Sequence, residues 1–169
     1  MGFWSATKQA NLKRGGVYLS DGVMHKNKDG IWEGIGTQHR YKLKLLALKM
    51  VEGRGTSGMV AEFQILESSF DKNPPGSNAS FFANLSKIPE AGLRDAMLLV
   101  AALYGVDAAD EDKVREVATE EMMEYVTSEE NPLGEYGIEL YCTTKAKLTK
   151  NDRPFNVHYF EAAINPPVR

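Results

Sequence analysis

Residues 141–160 read YCTTKAKLTKNDRPFNVHYF, with Lys145, Lys147, Lys150 and Arg153 set against a single acid, Asp152, among Tyr141, Phe155, Tyr159 and Phe160. Cations spaced along an open strand can neutralise phosphates, and rings kept out of a core can stack on bases. Binders of single-stranded nucleic acid combine these two features. A second basic stretch, residues 39–54, sets Arg40, Lys42, Lys44, Lys49 and Arg54 against Glu52. Between the two, residues 107–130 are strongly acidic, opposed only by Lys113 and Arg115. The formal charge of the whole chain is only −3, so the charge is segregated, and its distribution says more than its sum.

Other constellations carry less chemistry. GRGTSG, residues 53–58, matches G-x-G-x-x-G, but a dinucleotide site needs a helix after the glycines. Here the alternating run MVAEFQIL follows, so the segment reads as a hairpin connection, with Arg54 placed to close over a polyanion. His25, His39 and His158 lack metal-ligand spacing. Glu120-Glu121 and Glu129-Glu130 lie in a run of like charge, the pattern of a solvated face. Cys142 is the only cysteine, which excludes an internal disulfide and suits a reducing cytoplasm. No apolar run is long enough to span a membrane as a helix, and Met1-Gly2-Phe3-Trp4 opens no signal peptide. Nothing makes a positive case for an enzyme, a metal or a cofactor.

The elements that must position the strip follow from periodicity. At 169 residues, 43 % apolar and 25 % charged, the chain has the size and composition of one globular domain. We read residues 1–14 as a flexible arm and 15–169 as the domain. Val17-Tyr18-Leu19 suits a short strand, and Asp29-Gly30 marks a hairpin turn. In YKLKLLALKM, Tyr41, Leu43 and Leu45 alternate with lysines, then the phase slips so that Leu46, Leu48 and Met50 carry the pattern. Such a slip predicts a β-bulge and a coiled strand. Strands over 59–66 and 78–85 follow, the latter leaving Phe82 outward. Pro89 and Gly105 bound an apolar helix, Asp110 caps an acidic one, and Thr119 restarts a short second piece. Strands over 138–148 and 155–162 close the list, with His158 and Phe160 assigned to the face opposite Phe155, Val157 and Tyr159. The fold class is mainly β with a helical insertion, α+β. Three strands, helices and two strands is the layout of a five-stranded OB-fold barrel with helices between strands three and four; a generic α+β sheet is the alternative.

On these faces the nucleic-acid-binding set is Lys42, Lys44, Lys49, Arg54, Phe82, Tyr141, Lys145, Lys147, Lys150, Arg153, His158 and Phe160. Lysines on outward strand positions also serve simply to block edge aggregation, and the rings are core if the faces are reversed.

VAEFQILESS followed by NPPGSNASFFANL resembles the single-stranded DNA-binding proteins of tailed bacteriophages, and so does the closing TTKAKLTKNDRPFNVHYF. The likeness spans roughly residues 39–162. It implies an OB-fold that coats single-stranded DNA during phage replication or recombination in the cytoplasm of the bacterial host, with no reaction of its own. The partners it implies are single-stranded DNA, phage replication or recombination proteins and further copies of the chain, with no membrane. Many such binders end in an acidic tail; this chain ends in INPPVR, so that either partner recruitment uses the internal acidic segment around residues 120–130 or it is absent. A phage structural or protein-interaction module is the alternative function, and a recombination nuclease a third.

Overall fold

The computed structural model describes residues 17–18, 25–53, 55–87 and 89–168. In chain order the elements are β1 (Val17–Tyr18), β2 (His25–Lys26), β3 (Trp32–Glu33), β4 (Gln38–Gly53), β5 (Thr56–Ser68), β6 (Asn78–Asn84), α1 (Pro89–Leu103), α2 (Glu111–Val117), α3 (Glu120–Val126), β7 (Glu139–Leu148) and β8 (Pro154–Phe160). The main sheet has the order β1-β6-β5-β4-β7-β8; β4 to β8 are joined by antiparallel ladders, and β1 pairs parallel with β6. β2 and β3 form a separate hairpin. Its turn takes Gly30 at φ 77, and the Asn27 side-chain amide oxygen accepts from the Asp29 and Ile31 backbone amides.

β4 organises the sheet. Its first half pairs with β7, and it pairs with β5 over most of its length. Tyr41, Leu43, Leu45, Leu48 and Met50 are buried, and the β4–β5 register shifts between Leu45 and Ala47, which is the bulge that the phase slip predicts. The slip falls one residue later than the apolar pattern suggests: Leu46 belongs to the bulge and is exposed. The interrupted ladder is repaired from a distance. The Asn131 side chain donates to the Leu46 carbonyl at 2.9 Å and accepts from the Leu48 amide at 3.4 Å. Asn131 itself adopts φ 47, a left-handed conformation that Asn tolerates better than most residues. Asn131→Ala strands both backbone groups, and we expect it to cost about 1–3 kcal/mol, read as a fall in the urea midpoint with an unchanged slope.

One face of the sheet holds the core: Met59, Ala61, Phe63 and Ile65 of β5, Ala79, Phe81 and Ala83 of β6, and Leu140 and Cys142 of β7. Leu99, Val100 and Leu103 of α1 and Met123 and Val126 of α3 complete it. Gly92 lets α1 approach this closely, because a Cβ there would collide with the Asn84 carbonyl of β6. The helix boundaries follow the sequence signals. Pro89 opens α1, Gly105 follows it at φ 83, Asp110 caps α2 and Thr119 caps α3.

No hydrogen-bonded ladder joins β6 to β8 among the described residues, so the sheet is open where a closed barrel was expected. Two features mark the seam. β1 occupies the β6 edge at Ala79 and Ser80. Beside it the Phe81 ring meets His158 at 4.8 Å and Phe160 at 5.1 Å, both edge to face. β6 and β8 therefore meet through side chains rather than through a backbone ladder.

Candidate nucleic-acid interface

The turn between β7 and β8 sets which side chains share a face. The Thr149 amide donates to the Arg153 carbonyl at 2.9 Å, the Asp152 amide to the Thr149 carbonyl at 3.0 Å, and Asp152 takes φ 59. This is a short hairpin loop with its left-handed position filled by Asp. It pairs Lys147 with Phe155, Lys145 with Val157 and Thr143 with Tyr159. Because directly opposed residues project to the same side, these form the outer face. Across β4 the row continues through Gln38 opposite Lys145, Arg40 opposite Thr143 and Lys42 opposite Tyr141.

The same register turns His158 and Phe160 inward, contrary to the sequence assignment. They lie opposite Thr144 and Cys142, both buried. Phe160 stacks on Phe63 at 6.0 Å. Burial pushes the His158 imidazole down to about 4, and it is neutral at pH 7. Neither ring is presented to a ligand on the outer face. The rings that are presented there, Phe155 at 39 % exposure and Tyr159 at 49 %, fall outside the sequence-derived set, although their common face was legible.

Ion pairs divide the cations. Lys42 Nζ lies 3.6 Å from Glu67 and 3.5 Å from Glu139. Desolvation, the largest single effect, lowers its pKa, but Tyr141, Glu139 and Glu67 together outweigh it and the net shift is upward. Lys49 pairs with Glu62 at 3.2 Å. Arg40 reaches Glu161 at 3.1 Å while its guanidinium lies 3.9 Å from the Tyr141 ring centroid, so one face of Tyr141 is already occupied. Both members of the Arg40–Glu161 pair are about half exposed, and such pairs add little stability and exchange readily. Among the described residues, no carboxylate lies within ion-pairing distance of Lys44, Lys145, Lys147, Lys150 or Arg153. Lys147 Nζ instead sits 3.4 Å from the Tyr159 hydroxyl. Arg54 lies outside the described residues.

Phe82 belongs to a different patch. It lies opposite Val60, which in turn lies opposite Lys49, and among the described residues no ladder joins its strand to β7 or β8. Its ring covers Gly58, where a Cβ would strike it. The Lys150–Arg153 end of the strip instead meets the β2–β3 hairpin. Trp32 Nε1 donates to the Asp152 carbonyl at 3.0 Å, and Lys26 Nζ lies 5.3 Å from the Trp32 ring. Trp32 escaped sequence reasoning because its hairpin is distant in sequence from the turn that it meets.

Among the described residues no group of acids, histidines or cysteines could hold a metal ion, and no helix is long and apolar enough to cross a membrane. Cys142 is fully enclosed, and burial drives its thiol far up, away from the reactive thiolate. No protein-family model, curated protein or solved structure matches the chain.

Proposed function

We propose that the protein binds single-stranded DNA with little sequence preference and carries out no reaction of its own. The observation that carries this reading is the outer face of β7 and β8: Lys145, Lys147, Phe155 and Tyr159 alternate across one hairpin, with Lys150 and Arg153 at its tip. Cations with no carboxylate in ion-pairing distance among the described residues supply phosphate neutralisation, and half-exposed rings supply stacking surfaces. Lys42 and Lys49, already held by carboxylates, contribute less.

The fold proposed to support this is a partly open OB-type barrel. β4 to β8 serve as its strands one to five, with strand one coiled and shared between strands two and four, and the helices inserted between three and four. The loop between strands four and five, residues 149–153, is one of the two loops such folds use for oligonucleotides. The resemblance to tailed-phage single-strand binders supports a role in phage replication or recombination. The exposed acids Glu120, Glu121 and Glu124 of α3 are then the surface proposed for recruiting replication proteins.

The test is salt dependence. Each phosphate contact on a single strand contributes about 0.7 to the slope of log K against log salt. Lys145→Ala with Lys147→Ala should lower that slope by about 1.4, while Lys49→Ala should leave it within error. An unchanged slope in the double variant would place the DNA elsewhere. A protein-interaction module is the second reading, favoured by the uncharged edge strand PFNVHYF, an edge natural proteins rarely leave unguarded. It predicts partner capture that is insensitive to salt and no retention of DNA.

A further inference from the structure

A cleft of about 310 Å³ lies between β8, α1 and the segment that follows α1. Its walls include Phe81, His158 and Phe160 on one side and Leu98 and Ala108 on the other, with Asp95 among the lining groups. Phe155 and Tyr159 of the outer face also line it, so the cleft lies directly beside the hairpin described above. It is concave and mostly apolar with few polar groups, which is the character of a small-ligand site rather than of a protein-docking groove.

Resting on the single-strand reading, we infer that this cleft takes one splayed base of the bound strand and favours a base carrying an exocyclic amine, cytosine before thymine. The walls are the right kind. Unstacked bases are held between aromatic and apolar side chains and read on their exposed edges. The acceptor is Asp95. A carboxylate accepts a hydrogen bond from the N4 amine of cytosine, whereas thymine offers the O4 acceptor at the same position, which a carboxylate repels. Asp95 is exposed at the rim of the cleft; partial desolvation there raises its carboxyl, partly offset by Arg94. The base would leave the Phe155–Tyr159 surface over the β8 edge, where Asn156 also lines the cleft.

The experiment compares oligo(dC) with oligo(dT) of equal length by fluorescence anisotropy on the intact protein. Wild type should bind oligo(dC) about five-fold tighter or more. Ala108→Trp, an exposed position where the new ring blocks the cleft, and Asp95→Ala, an exposed position on α1 where the acceptor is removed, should each bring oligo(dC) down to the oligo(dT) level and leave oligo(dT) unchanged. Equal wild-type affinities, or variants that keep the preference, would overturn the cleft while the outer-face reading stands. Retention of neither oligonucleotide by wild type would overturn both.

Discussion

Replacing Phe155 and Tyr159 together by alanine should weaken binding to single-stranded DNA by about 2–6 kcal/mol, at about 1–3 kcal/mol per stacked ring. The salt slope should not change, because no cation is removed. The two rings occupy outer positions of β8, opposite Lys147 and Thr143, and both keep a large part of their surface in solvent. Their loss from the fold is therefore cheap, and the variant's urea midpoint should stay close to wild type. Tyr136 is more exposed than either but lies off the sheet, in the turn-rich segment before β7. Tyr136→Ala should leave binding intact. Equal losses in the two variants would mean that exposed rings are interchangeable and that the β7–β8 face has no special part.

Lowering the pH from 7 to about 4.5 should cost about 2–3 kcal/mol of stability through His158 alone. Its imidazole is largely enclosed beside Phe81 and Phe160, and its pKa falls from 6.5 to about 4 because burial penalises the charged form. In the unfolded chain it protonates near 6.5. Between the two values the unfolded state binds more protons than the folded one, so stability is full above the unfolded value and drains away as pH falls toward 4. Burial lowers His39 too, which adds to the same trend. Asp95, raised by desolvation, takes up its proton more readily when folded and opposes it. His158→Phe keeps a ring of similar size among Phe81 and Phe160 and should flatten the dependence. Urea midpoints at pH 7 and 4.5 for both proteins read the effect directly. A variant as acid-sensitive as wild type would assign the loss to other groups.

The elements were largely legible because each carries a local signal. Pro89 and Gly105 bracket α1, Asp110 and Thr119 cap α2 and α3, and the slip in YKLKLLALKM marks the bulge in β4. The face of β8 was not legible from alternation, since PFNVHYF carries rings on both sides. Its polarity is set by the turn at 149–153, which places Phe155 opposite Lys147 and turns His158 and Phe160 inward. Pairing from that turn would have exchanged the two inward rings for Phe155 and Tyr159. Which lysines are neutralised depends on partners contributed by other strands, Glu62 for Lys49 and Glu67 and Glu139 for Lys42, and no single-strand pattern carries that. The open seam has the same origin. What meets there is β1, paired with β6 from about sixty positions away in sequence, and three rings from β6 and β8.

The central claim is that the β7–β8 face is a track for single-stranded DNA. The most direct measurement is anisotropy of a labelled mixed-sequence strand of about 30 nucleotides, titrated at low and physiological salt beside a duplex of the same length. Tight binding to the single strand that weakens steeply with salt, with little binding of the duplex, is the predicted result. No retention of the single strand even at low salt would contradict it and leave the lysines as guards of a strand edge.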